Sequence, residues 1–102
     1  MLDHAREALK IVRGRSRADL DRDRVLNLAL VRLLEIVGEA ASRMPQEDRA
    51  VHAEIPWADI VGLRNRLIHG YDEVDFDILW QILTNDLPPL VKALERILGS
   101  ES

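Results

Sequence analysis

The chain has 102 residues, of which 47% are hydrophobic, enough for one domain with its own core over residues 1–102. A formal net charge of −4 argues against a broadly basic nucleic-acid surface but leaves room for a local one; the positive charge is carried by twelve Arg and only two Lys, Lys10 and Lys92. There is no Cys for disulfides or thiolate chemistry, no apolar run long enough to span a bilayer and no signal-peptide pattern, so a soluble cytoplasmic protein without a membrane partner is expected.

The first predicted helix covers 2–13, where Leu2, Ala5, Leu9 and Val12 recur at helical spacing and Gly14 can end it. The turn Gly14-Arg15-Ser16-Arg17 follows. Arg13, Arg15, Arg17, Arg22 and Arg24 cluster around it and could touch an RNA backbone. Asp19, Asp21 and Asp23 interleave with them, which favours a solvated, self-paired surface.

Residues 19–43 read as the longest uninterrupted helix. Apolar residues cover so much of its circumference that it must bury more than one face, one in the core and another available to a partner chain. Gly38 inside it costs helix propensity and points to close backbone approach. Arg32, Glu35, Glu39 and Ser42 form one polar stripe. That stripe is either a solvated face with ion pairs or the place where Glu35 or Glu39 neutralises an arginine from elsewhere.

From Met44 to Glu54 the chain reads as a connection, with one short helical turn allowed at Pro45-Gln46-Glu47-Asp48 and a solvated His52. The three histidines have no metal-ligand spacing, so no zinc site is expected.

Ile55-Pro56-Trp57 marks the next helix start, and the helix is expected to run to about Ile68. Trp57, Ile60, Val61, Leu67, Ile68 and Tyr71 fall on one stripe with Arg64 near its middle. An arginine there is costly unless paired, so Arg64 is either a buried structural ion pair or part of a site, with a subunit interface one place for it. Asn65 stands one turn before His69 and could bond its imidazole or a ligand. His69-Gly70 also resembles an ordinary helix C-terminus. On a regular helix Arg64 and His69 would point about 140° apart, so one chain alone would struggle to bring both to one phosphate.

After Tyr71 comes an acidic turn, Asp72-Glu73-Val74-Asp75, in which Asp75 can cap the last helix. Apolar residues from Phe76 to Ile97 then keep helical phase across Pro88-Pro89. One kinked rod is expected, or two nearly coaxial helices with Asn85 or Asp86 as a second cap. Nothing reads as a strand. The fold class is all-α: an antiparallel bundle of four long helices with room for one short one, the last kinked or broken at Pro88-Pro89.

Arg64-x4-His69-x-Tyr71 supplies what phosphodiester chemistry uses: a rigid fork of donors for phosphate and a side chain that exchanges a proton near neutral pH. It resembles the signature of HEPN-domain ribonucleases. Leu34–Arg43, Ile55-Pro56-Trp57, Gly62–Tyr71 and Asn85–Leu90 occur in the order of one branch, the HepT-type toxins, and the resemblance runs from about residue 2 to 98. It implies a homodimer whose signature helices meet in a shared cleft, and metal-independent endoribonuclease activity without a cofactor on an RNA substrate, tRNA or mRNA. It also implies a nucleotidyltransferase antitoxin that attaches AMP to the signature tyrosine. Carried over, Arg64 and His69 are the catalytic pair, Asn65 supports them, and Tyr71 is the AMP acceptor; Glu35 and Glu39, from the polar stripe, stand as candidate charge partners of Arg64. The alternative is a non-catalytic HEPN adaptor that dimerises and binds a nucleotidyltransferase.

Overall fold

The structure, a computed structural model, describes residues 1–69 and 73–101, with side chains for 1–68 and 73–97. Helix α1 (Leu2–Val12) puts Leu2, Ala5, Ala8 and Val12 in the core, and Gly14 then reverses the chain at φ +78°, a conformation that L side chains avoid. The helix expected over 19–43 is two helices, α2 (Arg17–Arg22) and α3 (Arg24–Ser42). Asp23 divides them: its backbone is extended, and its carboxylate accepts the Leu26 N–H at 3.0 Å. That bond satisfies an orphan donor of the new helix, so the aspartate ends one helix by starting the next.

Helix α3 is the central element, packed against α1, α2, α5 (Trp57–Val61) and α6 (Leu63–Leu67). Leu30, Leu34, Val37 and Ala41 on it are fully buried. Gly38 fulfils its expected role: a Cβ there would lie 3.0 Å from the Ile60 carbonyl oxygen, so only glycine lets α5 come this close. Beyond α3, the connection holds α4 (Gln46–Val51). Arg49 on α4 donates to the carbonyls of Ala41, Ser42 and Met44 at 2.9–3.1 Å, closing the C-terminus of α3. Trp57 Nε1 in turn donates to Arg49 O at 3.1 Å and His52 O at 3.0 Å. The start of α5 is thus tied to the end of α3, and His52 is half-buried rather than solvated.

The helix expected from Trp57 to Ile68 breaks at Gly62 (φ −84°, ψ 3°) into α5 and α6. It ends at Leu67, since Ile68 is extended. A two-residue antiparallel ladder follows, β1 (Ile68–His69) with β2 (Glu73–Val74), pairing Ile68 with Val74 and His69 with Glu73. Its periodicity is too short to detect in the sequence. The Asp75 N–H closes it by donating to Leu67 O at 2.8 Å.

Asp75 caps α7 (Phe76–Gln81), accepting from the Asp77 and Ile78 N–H groups. The helix then widens into a π-turn over Ile82–Asp86 and continues as α8 (Leu87–Glu101). Neither Asn85 nor Asp86 starts a new helix. The Leu87 N–H reaches back five residues to Ile82 O, so the rod accommodates two prolines without stopping. Pro88 and Pro89 bring no N–H for the preceding turn's carbonyls, and the wide turn lies immediately before them, over Ile82–Asp86. Among the described residues no helix is long and apolar enough to cross a membrane.

Candidate active site at the end of helix α6

Helix α6 carries the first half of the signature. It buries Leu63 and Leu67, one turn apart. Leu63 lies outside the stripe expected from the sequence, and its burial rotates the core-facing side away from Arg64. The Arg64 side chain is 68% exposed, so the expectation of an arginine sunk in an apolar stripe is overturned. The break at Gly62 resets the phase: α5 buries Ile60, while Val61, expected on the stripe, is 39% exposed.

Arg64 Nε sits 3.9 Å from Glu35 Oε2 on α3, too long for a hydrogen bond. The same oxygen meets Arg32 at 3.7 Å, and Arg32 meets Glu39 at 4.0 Å. Glu35 therefore approaches Arg64, while Glu39 is engaged with Arg32. Asn65 is exposed beside Arg64. Arg66 points to the other side of α6 and pairs with Asp86 at 3.1 Å.

His69 is in neither the last turn of a helix nor a helix at all; its backbone is held in the ladder opposite Glu73. This removes the helix-end reading of His69-Gly70. The 140° separation from Arg64 does not apply either, because the chain passes from helix to strand between the two. The His69 side chain, Gly70 and Tyr71 lie outside the described residues.

Two concavities lie near the signature, and only the larger is lined by α6. The larger, about 520 Å³, lies between α5, α6 and the π-turn, with Asp59, Arg66, Asn85 and Asp86 in its wall. The smaller, about 270 Å³, lies between α3 and the β1–β2 ladder and includes Arg24, Asn27, Arg32, Glu35, Ile68 and Phe76. The smaller contains Glu35, the residue facing Arg64, and Ile68, the neighbour of His69, while the larger meets the signature block through Leu63 and Arg66. Asn27 is the functional candidate that sequence reasoning missed. It is a buried polar residue, 5% exposed, flanked by Leu26 and Leu28, and its signal was a lone amide within an otherwise apolar stretch.

Elsewhere the arginine cluster is paired in part with its interleaved aspartates: Arg15 approaches Asp23 at 3.9 Å. Arg17 meets Asp21 at 3.1 Å and Asp77 at 2.8 Å, and its guanidinium lies 5.9 Å from the Phe76 ring centre. Those two carboxylates raise the Arg17 pKa. Among the described residues no group of His, Asp and Glu is arranged to hold a metal ion.

A family profile described as "Ribonuclease HepT-like" matches residues 1–97. The chain belongs to the HepT-like ribonuclease family. Among its HepT-like relatives, "Putative RNase TTE0752" of Caldanaerobacter subterraneus subsp. tengcongensis is 42% identical over 90 residues, covering 88% of this chain and 80% of that protein. "Probable ribonuclease HepT" of Thermococcus cleftensis is 37% identical over 75 residues, covering 74% and 68%. "Putative RNase MJ1380" of Methanocaldococcus jannaschii is 32% identical over 97 residues, covering 95% and 89%. No solved structure matches the chain. Of the signature residues, Arg64 is thus exposed on α6, and the His69 backbone lies in the ladder that follows.

Proposed function

We propose that this HepT-like chain is a metal-independent endoribonuclease and the toxin of a toxin–antitoxin pair, its active site composed of Arg64 and His69 from both subunits of a homodimer. The observation that carries this reading is Arg64 itself. Its guanidinium is exposed and meets Glu35 only at 3.9 Å, so the fold gains little from it, and its donors remain available to a phosphate. The names of the relatives support the activity.

In the proposed reaction the ribose 2′-hydroxyl attacks the adjacent phosphorus and the bond to the 5′-oxygen breaks. A 2′,3′-cyclic phosphate and a 5′-hydroxyl result. His69 of one subunit takes the 2′-hydroxyl proton, and its symmetry mate gives a proton to the leaving oxygen. The Arg64 side chains hold the non-bridging oxygens as charge develops, with Asn65 orienting the substrate or the imidazole. A two-fold axis near the end of α6 would bring both copies together. Supporting that arrangement, Val25 (77%), Leu28 (52%) and Val61 (39%) are exposed apolar side chains on α3 and α5.

Regulation follows the same chemistry. A nucleotidyltransferase antitoxin attaches AMP to Tyr71, two residues from His69. The added bulk and negative charge then exclude an RNA phosphate.

The test is cleavage of total cellular RNA by unmodified protein in EDTA, beside His69→Ala prepared identically, with intact mass checked on both. Metal-free cleavage by wild type and a loss of at least about 10²-fold in the mutant support the reading. Inert unmodified protein on every RNA class replaces it with the adaptor, which dimerises and binds a nucleotidyltransferase without cutting RNA. Co-expression with a neighbouring nucleotidyltransferase should add AMP at Tyr71; a modification mapped elsewhere removes that part.

A further inference from the structure

The pocket between α3 and the β1–β2 ladder holds a feature the proposed cleavage does not use. Asn27 is 5% exposed, and its amide nitrogen donates to Leu20 O at 2.9 Å. That bond fixes the orientation of the amide. Its oxygen receives no hydrogen bond among the described residues. Yet no fully buried side-chain oxygen or nitrogen among them lacks a partner. The Asn27 oxygen therefore keeps some access, and Asn27 lines the pocket between α3 and the ladder. A fixed, largely buried acceptor on a residue that lines a pocket calls for a donor from a ligand.

The rest of the wall fits a nucleobase. Phe76 supplies an aromatic surface, steadied by the Arg17 guanidinium, and Ile68 supplies an apolar one. Arg24 and Arg32 flank Asn27 along α3; they are eight residues apart, about 12 Å along the axis, and can meet the phosphates on either side of a base. Glu35, at the far end, lies eight residues from Asn27, also about 12 Å. The occupant is thus a base flanking the scissile phosphate rather than the nucleotide held by Arg64.

We propose that this pocket is a base-selecting subsite of the RNA substrate, in which the Asn27 amide oxygen accepts a hydrogen bond from the exocyclic amine of adenine or cytosine. Adenine carries that amine at N6 and cytosine at N4, where guanine and uracil carry a carbonyl oxygen. A keto base would set oxygen against oxygen in a site with little water, at a cost on the order of tenfold in affinity or more. The identity of the subsite rests on the ribonuclease reading above; its preference for amino over keto bases does not require cleavage.

The experiment measures binding of short 2′-O-methyl oligonucleotides, which lack the attacking hydroxyl. Oligo(A) is compared with oligo(I), and oligo(C) with oligo(U), so that each pair differs at the amino or keto position. Isotope-labelled protein reports the Asn27 side-chain amide by NMR. The expected result is about tenfold tighter binding of A over I and of C over U, with the Asn27 amide signals shifted by A and C. Asn27→Ser should erase the preference. Phe76→Leu, which leaves the Leu20 bond in place, should weaken all four oligonucleotides while keeping the ratios. Equal affinities within each pair, or unmoved Asn27 signals on saturation, overturn the subsite even if the protein cleaves RNA. Selective binding without any cleavage keeps the subsite and overturns the ribonuclease.

Discussion

Arg64 Nε lies 3.9 Å from the Glu35 carboxylate, and that carboxylate is shared with Arg32 at 3.7 Å. One acidic side chain thus stands between two arginines, close enough to orient both and too far from Arg64 to bond it. A phosphate arriving at Arg64 displaces no strong partner.

Arg64→Lys should therefore separate stability from activity. An exposed side chain with one long ion pair contributes little to folding, and the change should fall within about 0.5 kcal/mol by chemical denaturation. Cleavage should nonetheless be lost, because an ammonium cannot reproduce the bidentate grip of a guanidinium on phosphate. Retained cleavage would remove Arg64 from the site.

Gly38→Ala tests the crossing of α3 and α5. Alanine is the better helix former by about 1 kcal/mol, yet its Cβ would stand 3.0 Å from the Ile60 backbone oxygen, which cannot move without moving α5. Overpacking of this kind typically costs about 1–3 kcal/mol. A net destabilisation of about 1 kcal/mol is expected from the midpoint of urea unfolding; a stabilised variant would mean that α5 is free to shift.

Arg49→Ala removes the donors that close three carbonyls at the end of α3. A loss of about 1–2 kcal/mol is expected, because charged donors to carbonyls are among the stronger hydrogen bonds. Hydrogen exchange should quicken in the last turn of α3 and at Trp57, whose indole is held by the Arg49 and His52 carbonyls.

Asp19→Asn should show a pH dependence of known sign. The Ser16 N–H donates to Asp19 Oδ2 at 2.7 Å. That bond, aided by Arg15 and Arg22, holds the Asp19 carboxyl below the usual carboxylate range. A depressed pKa stabilises the fold above the unfolded-state value and loses that contribution as pH falls through the folded-state value. Wild type should therefore melt above the variant at neutral pH, with the gap closing in acid. A gap that persists unchanged into acid would assign the effect to something other than the carboxylate.

Much of this protein was legible from one chain of letters. The apolar spacing from Phe76 to Ile97 kept helical phase across two prolines, leaving one rod or two coaxial helices, and Asp75 announced the cap, because local hydrogen bonding and a 3.6-residue period act over a few neighbours. Gly38 marked a close approach for the same kind of reason: only a missing side chain permits one. The four ordered blocks around Arg64, His69 and Tyr71 identified the family. Tertiary packing decided the rest. It divided the chain at Asp23 and Gly62, where a cap and a flexible backbone outweighed continuous periodicity. It also turned Arg64 outward, because burying Leu63 and Leu67 together on a five-residue helix leaves no buried side for a charge. The amide of Asn27, fixed by a carbonyl seven residues away and open to a pocket walled by distant segments, has no periodicity at all, which is why it becomes visible only once α2, α3 and the ladder are brought together.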